Sequence, residues 1–103
     1  MRLDQIVPID MRHRVIELID SVTESHRPFK HMEDMTGIKA NNWKNTYRLN
    51  QRVVQEMVEV IGELWPQYAY WLVTGKTDEE HGHTSPIRDR IARDMEKVRQ
   101  QEG

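Results

Sequence analysis

Apolar residues recur along this chain at spacings of three and four, the pattern of helices that each bury one face. Met11, Val15, Leu18, Ile19 and Val22 make the first stripe, with Asp10 placed as a helix cap just after Pro8. Ser25, His26 and Arg27 interrupt it, and Pro28 suits the first turn of a second helix whose inward positions are Phe29, Met32 and Met35. Gly37 follows, where a left-handed backbone would end that helix cheaply, and Ile38 is the expected buried residue of the turn. A third helix is expected from Lys39 to Arg48. Leu49 to Arg52 then connect to a fourth, with Val54, Met57, Val58, Ile61 and Leu64 inward. Pro66 restarts the chain into Tyr68, Trp71 and Leu72 until Gly75 stops it. The expected fold is all-α: a five-helix bundle over residues 10–75.

Three further segments frame that bundle. Residues 1–9 read as an N-terminal arm, and residues 76–84, KTDEEHGHT, as a polar linker or exposed loop without a period. Ser85 and Pro86 then form a cap and first turn for a C-terminal helix over residues 85–103. Its narrow stripe of Ile87, Ile91, Met95 and Val98 has two readings: it folds back on its own domain, or it forms a dimerisation seam with a second copy.

Composition limits what such a bundle can do. At 103 residues and 37% hydrophobic content there is material for one modest helical core. The chain contains no cysteine, which excludes disulfides and thiolate metal sites. No apolar run approaches the roughly 18 residues of a membrane span, and the N-terminus has no signal-peptide hydrophobic region, so a cytoplasmic protein without membrane contact is expected. The nucleophile elbow, the phosphate-binding glycine loop and the zinc motifs are all missing, and neither an enzyme nor a cofactor is expected.

Charge sharpens the picture because of where it lies. The net charge is −2, but residues 27–52 carry Arg27, Lys30, Lys39, Lys44, Arg48 and Arg52 against only Glu33 and Asp34. Residues 53–80 reverse this, with Glu56, Glu59, Glu63, Asp78, Glu79 and Glu80 against Lys76. A chain so polarised offers one basic side to a polyanion.

The third helix concentrates that chemistry. At about 100° of rotation per residue, Ala40, Trp43, Thr46 and Tyr47 share one face, and Asn41, Asn45 and Arg48 lie opposite, with Asn42 and Lys44 on the flanks. A buried face would not collect amides and cations, and no Asp or Glu occurs between Thr36 and Gln55 to make an ordinary solvated face. Asn contacts adenine in the major groove through two bonds, and Arg and Lys contact guanine or phosphate. Double-stranded DNA is the expected partner. Lys39, Asn41, Asn42, Asn45 and Arg48 are the candidates for base contact, and Lys30, Lys44, Asn50 and Arg52 for phosphate.

With these residues in place, the stretch MTGIKANNWKNTYR resembles the lambda-repressor-like helix-turn-helix group, which includes Cro, cI and Xre-type regulators. The resemblance covers about Asp10 to Gly75. The group's turn glycine corresponds to Gly37, its next apolar residue to Ile38, and the buried residues of its recognition helix to Trp43 and Thr46. The segment ELWPQYAYWLVTGKTDEEHGHTSP is similar to the part following the motif in small phage and proteobacterial DNA-binding proteins. The resemblance implies a phage-like repressor that reads a palindrome as a homodimer. The chain departs from the group's pattern at Glu33, usually a small alanine, at Thr46, usually more apolar, and at Leu49 and Val53, where glycine and proline are common.

Other clusters read as structure. Trp65, Tyr68, Tyr70 and Trp71 have helical spacing and acidic surroundings and are expected in the core, with Tyr70 the most exposed. His81 and His83 beside Asp78, Glu79 and Glu80 form an incomplete ligand set, so no metal is expected, and His13, His26 and His31 read as surface residues. A different reading, in which the acidic half binds a protein as an adaptor, anti-repressor or inhibitor, is carried by Glu33 and by Glu56 to Glu80.

Overall fold

A computed structural model describes residues 10–23 and 26–102. The expected arm over residues 1–9, with Pro8, and the break residue Ser25 lie outside the described residues. Six α-helices follow one another: α1 (Met11–Val22), α2 (Pro28–Thr36), α3 (Ala40–Tyr47), α4 (Gln55–Leu64), α5 (Ala69–Thr74) and α6 (Pro86–Glu102). The fold is all-α, a helix-turn-helix bundle of α1 to α5 with α6 added at the C-terminus.

Helix α1 starts where the sequence provides a cap. The Asp10 carboxylate accepts from the backbone N–H groups of Arg12 and His13, and the His13 ring closes a capping box. Partial burial raises the Asp10 carboxyl pKa, but the bonds from Arg12 and His13 outweigh it and hold the group well below the usual carboxylate range. Val15, Leu18 and Ile19 of α1 meet Met32 of α2, Trp43 of α3, Met57 and Ile61 of α4, and Tyr68, Trp71 and Leu72 in one core. Arg14 ties the far end of this layer by donating through Nε to the Leu72 carbonyl, 2.8 Å away.

The aromatic segment is built as expected, with Tyr68 and Trp71 buried and edge-to-face, Trp65 half-buried and Tyr70 exposed. Two stripe positions of α4 differ from expectation. Val54 and Leu64 are 43% and 44% exposed, because Val54 precedes the first helical turn and Leu64 ends the helix as Trp65 takes the inward place.

Segment 76–84 has no hydrophobic period because hydrogen bonds of turns shape it. Asp78 and His83 exchange backbone bonds of 2.7 and 2.9 Å around a single 3₁₀ turn, and the Thr84 N–H donates to the Gln67 carbonyl. The Thr84 and Tyr68 hydroxyls both donate to the Asp89 carboxylate, at 3.0 and 2.7 Å. These bonds anchor the first turns of α6 to the bundle. From Ile91 onward, every α6 residue whose burial is described is exposed.

Helix α3 ends in a Schellman motif. Asn50 N–H reaches the Asn45 carbonyl at 2.8 Å and Leu49 N–H the Thr46 carbonyl at 3.0 Å. That geometry puts Leu49 at φ 63°, a left-handed conformation that favours glycine. Leu49→Gly is therefore expected to raise stability by about 0.5–1 kcal/mol, the relief of left-handed strain less glycine's larger entropy loss on folding. A higher urea midpoint at unchanged slope is the check; an unchanged or lower midpoint would show that the Leu49 side chain contributes packing that outweighs the strain.

Candidate nucleic-acid interface

Helices α2 and α3 are joined by a turn in which one hydroxyl makes three bonds. The Thr36 hydroxyl donates to the Met32 carbonyl at 2.6 Å and accepts from the Ile38 N–H and the Trp43 indole N–H, both at 3.2 Å. Gly37, at φ 81°, closes α2 with its N–H on the Glu33 carbonyl. The end of α2, the turn and the middle of α3 thus share one fully used group, which fixes how α3 is rotated against α2. Nothing in the spacing of apolar residues signalled Thr36.

The inner face of α3 is Trp43 and Thr46, both fully buried, with the Thr46 hydroxyl 3.7 Å from the Met57 sulfur. Tyr47 is half-buried, edge-to-face with Phe29 at 5.2 Å, and donates to the Asp20 carboxylate of α1 at 2.9 Å. These contacts aim the other face outward. Lys39, Asn41, Asn42, Arg48, Asn50 and Arg52 are exposed, and Lys44 and Asn45 are half-buried. Lys39, Lys44, Arg48 and Arg52 form no ion pair with any described residue.

Glu33, the residue that departs from the helix-turn-helix pattern, does not pack between helices. Its carboxylate reaches across the turn, accepting from the Ala40 N–H at 2.7 Å and from Lys30 Nζ at 3.1 Å. Lys39, at the capping position of α3, supplies no side-chain cap, so Glu33 does that work from seven residues upstream and sets a negative charge at the positive end of the helix. The Ala40 N–H, then Lys30, hold the Glu33 carboxyl below its ordinary value. A carboxyl depressed in the folded state adds stability above its unfolded pKa, about 4.3, and loses it as pH falls through the folded value. Glu33→Ala should therefore be less stable than the parent at pH 7, with the gap narrowing below about pH 4. Urea midpoints of the two proteins across that range test this, and a gap independent of pH would refute the capping role.

Not all of the expected phosphate contacts converge. Lys30, Lys44 and Asn41 border one open groove of about 390 Å³ between α2 and α3, together with Arg27, Phe29 and Ala40. Arg27, absent from the sequence-based set, stands at the N-terminus of α2 at φ 59°, and no side chain caps that terminus. Its position directly before Pro28 was the signal available. Lys30 is shared with Glu33 and Asp34, the latter at 3.4 Å, so its charge is partly answered within the protein. Arg52 lies apart, in a groove with Asp10, Met11, Arg12 and Val53 at the start of α1.

Acidic side chains gather elsewhere. Glu56, Glu59 and Glu63 of α4 line a groove of about 280 Å³ with Thr36, Gly37, Ile38 and Val60, behind the turn. Asp78, Glu80 and His81 place ligand-type atoms within 4.8 Å of one another on the 76–84 loop, where the His81 ring is already 2.9 Å from Asp78. No helix among the described residues is long and apolar enough to cross a membrane.

No protein-family model and no curated protein sequence matches this chain. Among solved structures, it is similar to Pf6r from the filamentous phage Pf6 of Pseudomonas aeruginosa PA01, with a TM-score of 0.64 and 25% sequence identity. That similarity covers 77% of this chain and 97% of Pf6r. The bundle described here is thus an architecture shared with a phage-encoded protein.

Proposed function

We propose that this chain is a non-enzymatic, sequence-specific DNA-binding transcriptional regulator of phage-like type, cytoplasmic and dimeric, that lays α3 in the major groove. The observation carrying this reading is a helix held from behind by Trp43, Thr46 and the Thr36 hydroxyl, whose outward side presents amides and unpaired cations with no acid among them. In this reading Asn41, Asn45 and Arg48 contact base edges, and Lys39 and Asn42 reach bases from the start of the helix. Lys44, Arg27 and Asn50 contact phosphate, Lys30 does so in exchange for its carboxylate partners, and Arg52 grips the backbone farther along. Residues 10–75 form the reading unit and α6 the association element, since two copies of α3 about one helical turn apart, roughly 34 Å, read a palindrome. The likeness to a phage-encoded protein supports the phage-like assignment.

Selection of bound duplexes from a random pool tests the proposal. A palindromic consensus is expected; affinity weaker than about 10⁻⁴ M for every duplex at low salt would reject it. A second reading is favoured by the groove of Glu56, Glu59 and Glu63 behind the turn, which would suit a basic segment of a protein partner. Loss of regulation on changing those glutamates alone, with DNA binding intact, would select it.

A further inference from the structure

The outward strip of α3 is chemically more uniform than attraction to a polyanion requires. Asn41, Asn45 and Arg48 stand at i, i+4 and i+7, within about 60° of arc on one side of the helix. Asn41 and Arg48 are exposed, Asn45 is half-buried, and none of the three side chains bonds to another described residue. The backbone beneath them is fixed, since the Asn45 carbonyl accepts from the Asn50 N–H at 2.8 Å and the Arg48 N–H donates to the Lys44 carbonyl at 3.0 Å. The strip therefore presents two amides and one guanidinium from a held scaffold. The carboxylate nearest the start of α3, that of Glu33, is committed to the Ala40 N–H and Lys30 Nζ at 2.7 and 3.1 Å.

We propose that each half-site read by this chain contains two A·T pairs, whose adenines meet Asn41 and Asn45, followed by a G·C pair whose guanine meets Arg48. This rests on the major-groove reading proposed above and goes beyond it by naming the bases. An asparagine amide holds an acceptor beside a donor, and adenine alone presents the converse pair in the major groove, an N6–H donor beside the N7 acceptor. Guanine shows two acceptors, which would set the amide oxygen against O6. Cytosine shows one donor, and thymine one acceptor next to a methyl group. The parallel donors of a guanidinium match guanine O6 and N7 together. Direct reading of a cytosine N4 amino group suits a carboxylate, and the strip has none. The spacing follows from the helix: four residues rise about 6 Å and three about 4.5 Å, against about 3.4 Å per base step. A helix inclined to the DNA axis shortens both projections, so the three contacts fall within about four base pairs.

Duplexes selected from a random pool by the full chain supply the half-site, and base analogues then test it atom by atom. 7-Deazaadenine carries a C–H where adenine has N7, so it pairs with thymine but cannot accept from the amide. Placed at each adenine of one half-site in turn, it should lower affinity about 5- to 150-fold, the equivalent of one bidentate contact. At one adenine that loss should shrink to less than about twofold in Asn45→Ala, and at the other in Asn41→Ala, because the amide that used N7 is gone. Equal losses in parent and variants overturn the amide contacts. Arg48→Gln, at an exposed position, exchanges the guanidinium for an amide and should move the preference at its pair from guanine to adenine. Guanine retained there overturns the Arg48 contact. A selected palindrome built of G·C pairs alone overturns the base assignment and leaves the regulatory reading standing. Failure to select any duplex overturns both.

Discussion

Replacing Asn41, Asn45 and Arg48 together by alanine is expected to lower affinity for the selected duplex on the order of 10²–10⁴-fold while leaving the fold intact. Each well-placed amide or guanidinium contact to a base edge contributes about 1–3 kcal/mol of discrimination, and three neighbouring contacts on one helix do not add fully. None of the three side chains bonds to another described residue, and alanine is the better helix former, so the folded state loses little. Residual binding at roughly 10⁻⁴–10⁻⁶ M should remain, since the phosphate-facing cations are untouched. Lys44→Ala is the contrasting case. It should weaken all duplexes alike and reduce the slope of log affinity against log salt by about 0.9. Competition titrations at two salt concentrations separate the two effects. A triple variant that still prefers the selected duplex would place sequence reading elsewhere on the molecule.

The inward and outward faces of α3 could be drawn from sequence because a helix of eight residues anchored by one indole leaves little freedom in its rotation. Trp43 and Thr46 are buried, Asn41, Asn42 and Arg48 are exposed, and Asn45 is half-buried, close to what about 100° per residue requires. Gly37 was legible for the same reason, since few residues other than glycine take a left-handed conformation cheaply. Glu33 was not, because periodicity reports which face a residue occupies and says nothing of a partner seven positions away across a turn. Thr36 escaped for a related reason: a hydroxyl that is donor and acceptor at once has no hydrophobic signature. Leu49 shows the limit most directly. The pattern led to the expectation of glycine near that place, and its absence was visible, yet only the backbone shows that the same Schellman geometry forms with leucine in the strained position. The bonds of Asp78, Thr84 and Asp89 that anchor α6 join polar residues of low periodicity, so the segment read as a featureless loop although its backbone is hydrogen-bonded at both ends.

Trp43→Ala is expected to cost about 3–5 kcal/mol, the largest effect of any single change proposed here. The indole is fully buried in one core with residues of α1, α2 and α4 and is the largest completely enclosed side chain among the described residues. Its removal leaves a cavity that three rigid helices cannot close, and it frees the Thr36 hydroxyl from one of its two donors. A small domain has a total stability of only about 5–15 kcal/mol, so a large share of the molecules should be unfolded near body temperature. Trp43→Phe separates the two contributions. It keeps most of the apolar area and loses the indole N–H bond, worth about 1 kcal/mol net, so it should fold and still bind DNA with α3 slightly loosened. Urea unfolding followed by far-UV dichroism measures both variants. If Trp43→Ala loses less than about 1 kcal/mol, below the range for any enclosed tryptophan, the indole does not hold α3 from behind. The helix would then be free to rotate, and the assignment of Asn41, Asn45 and Arg48 to the DNA side would lose its physical basis.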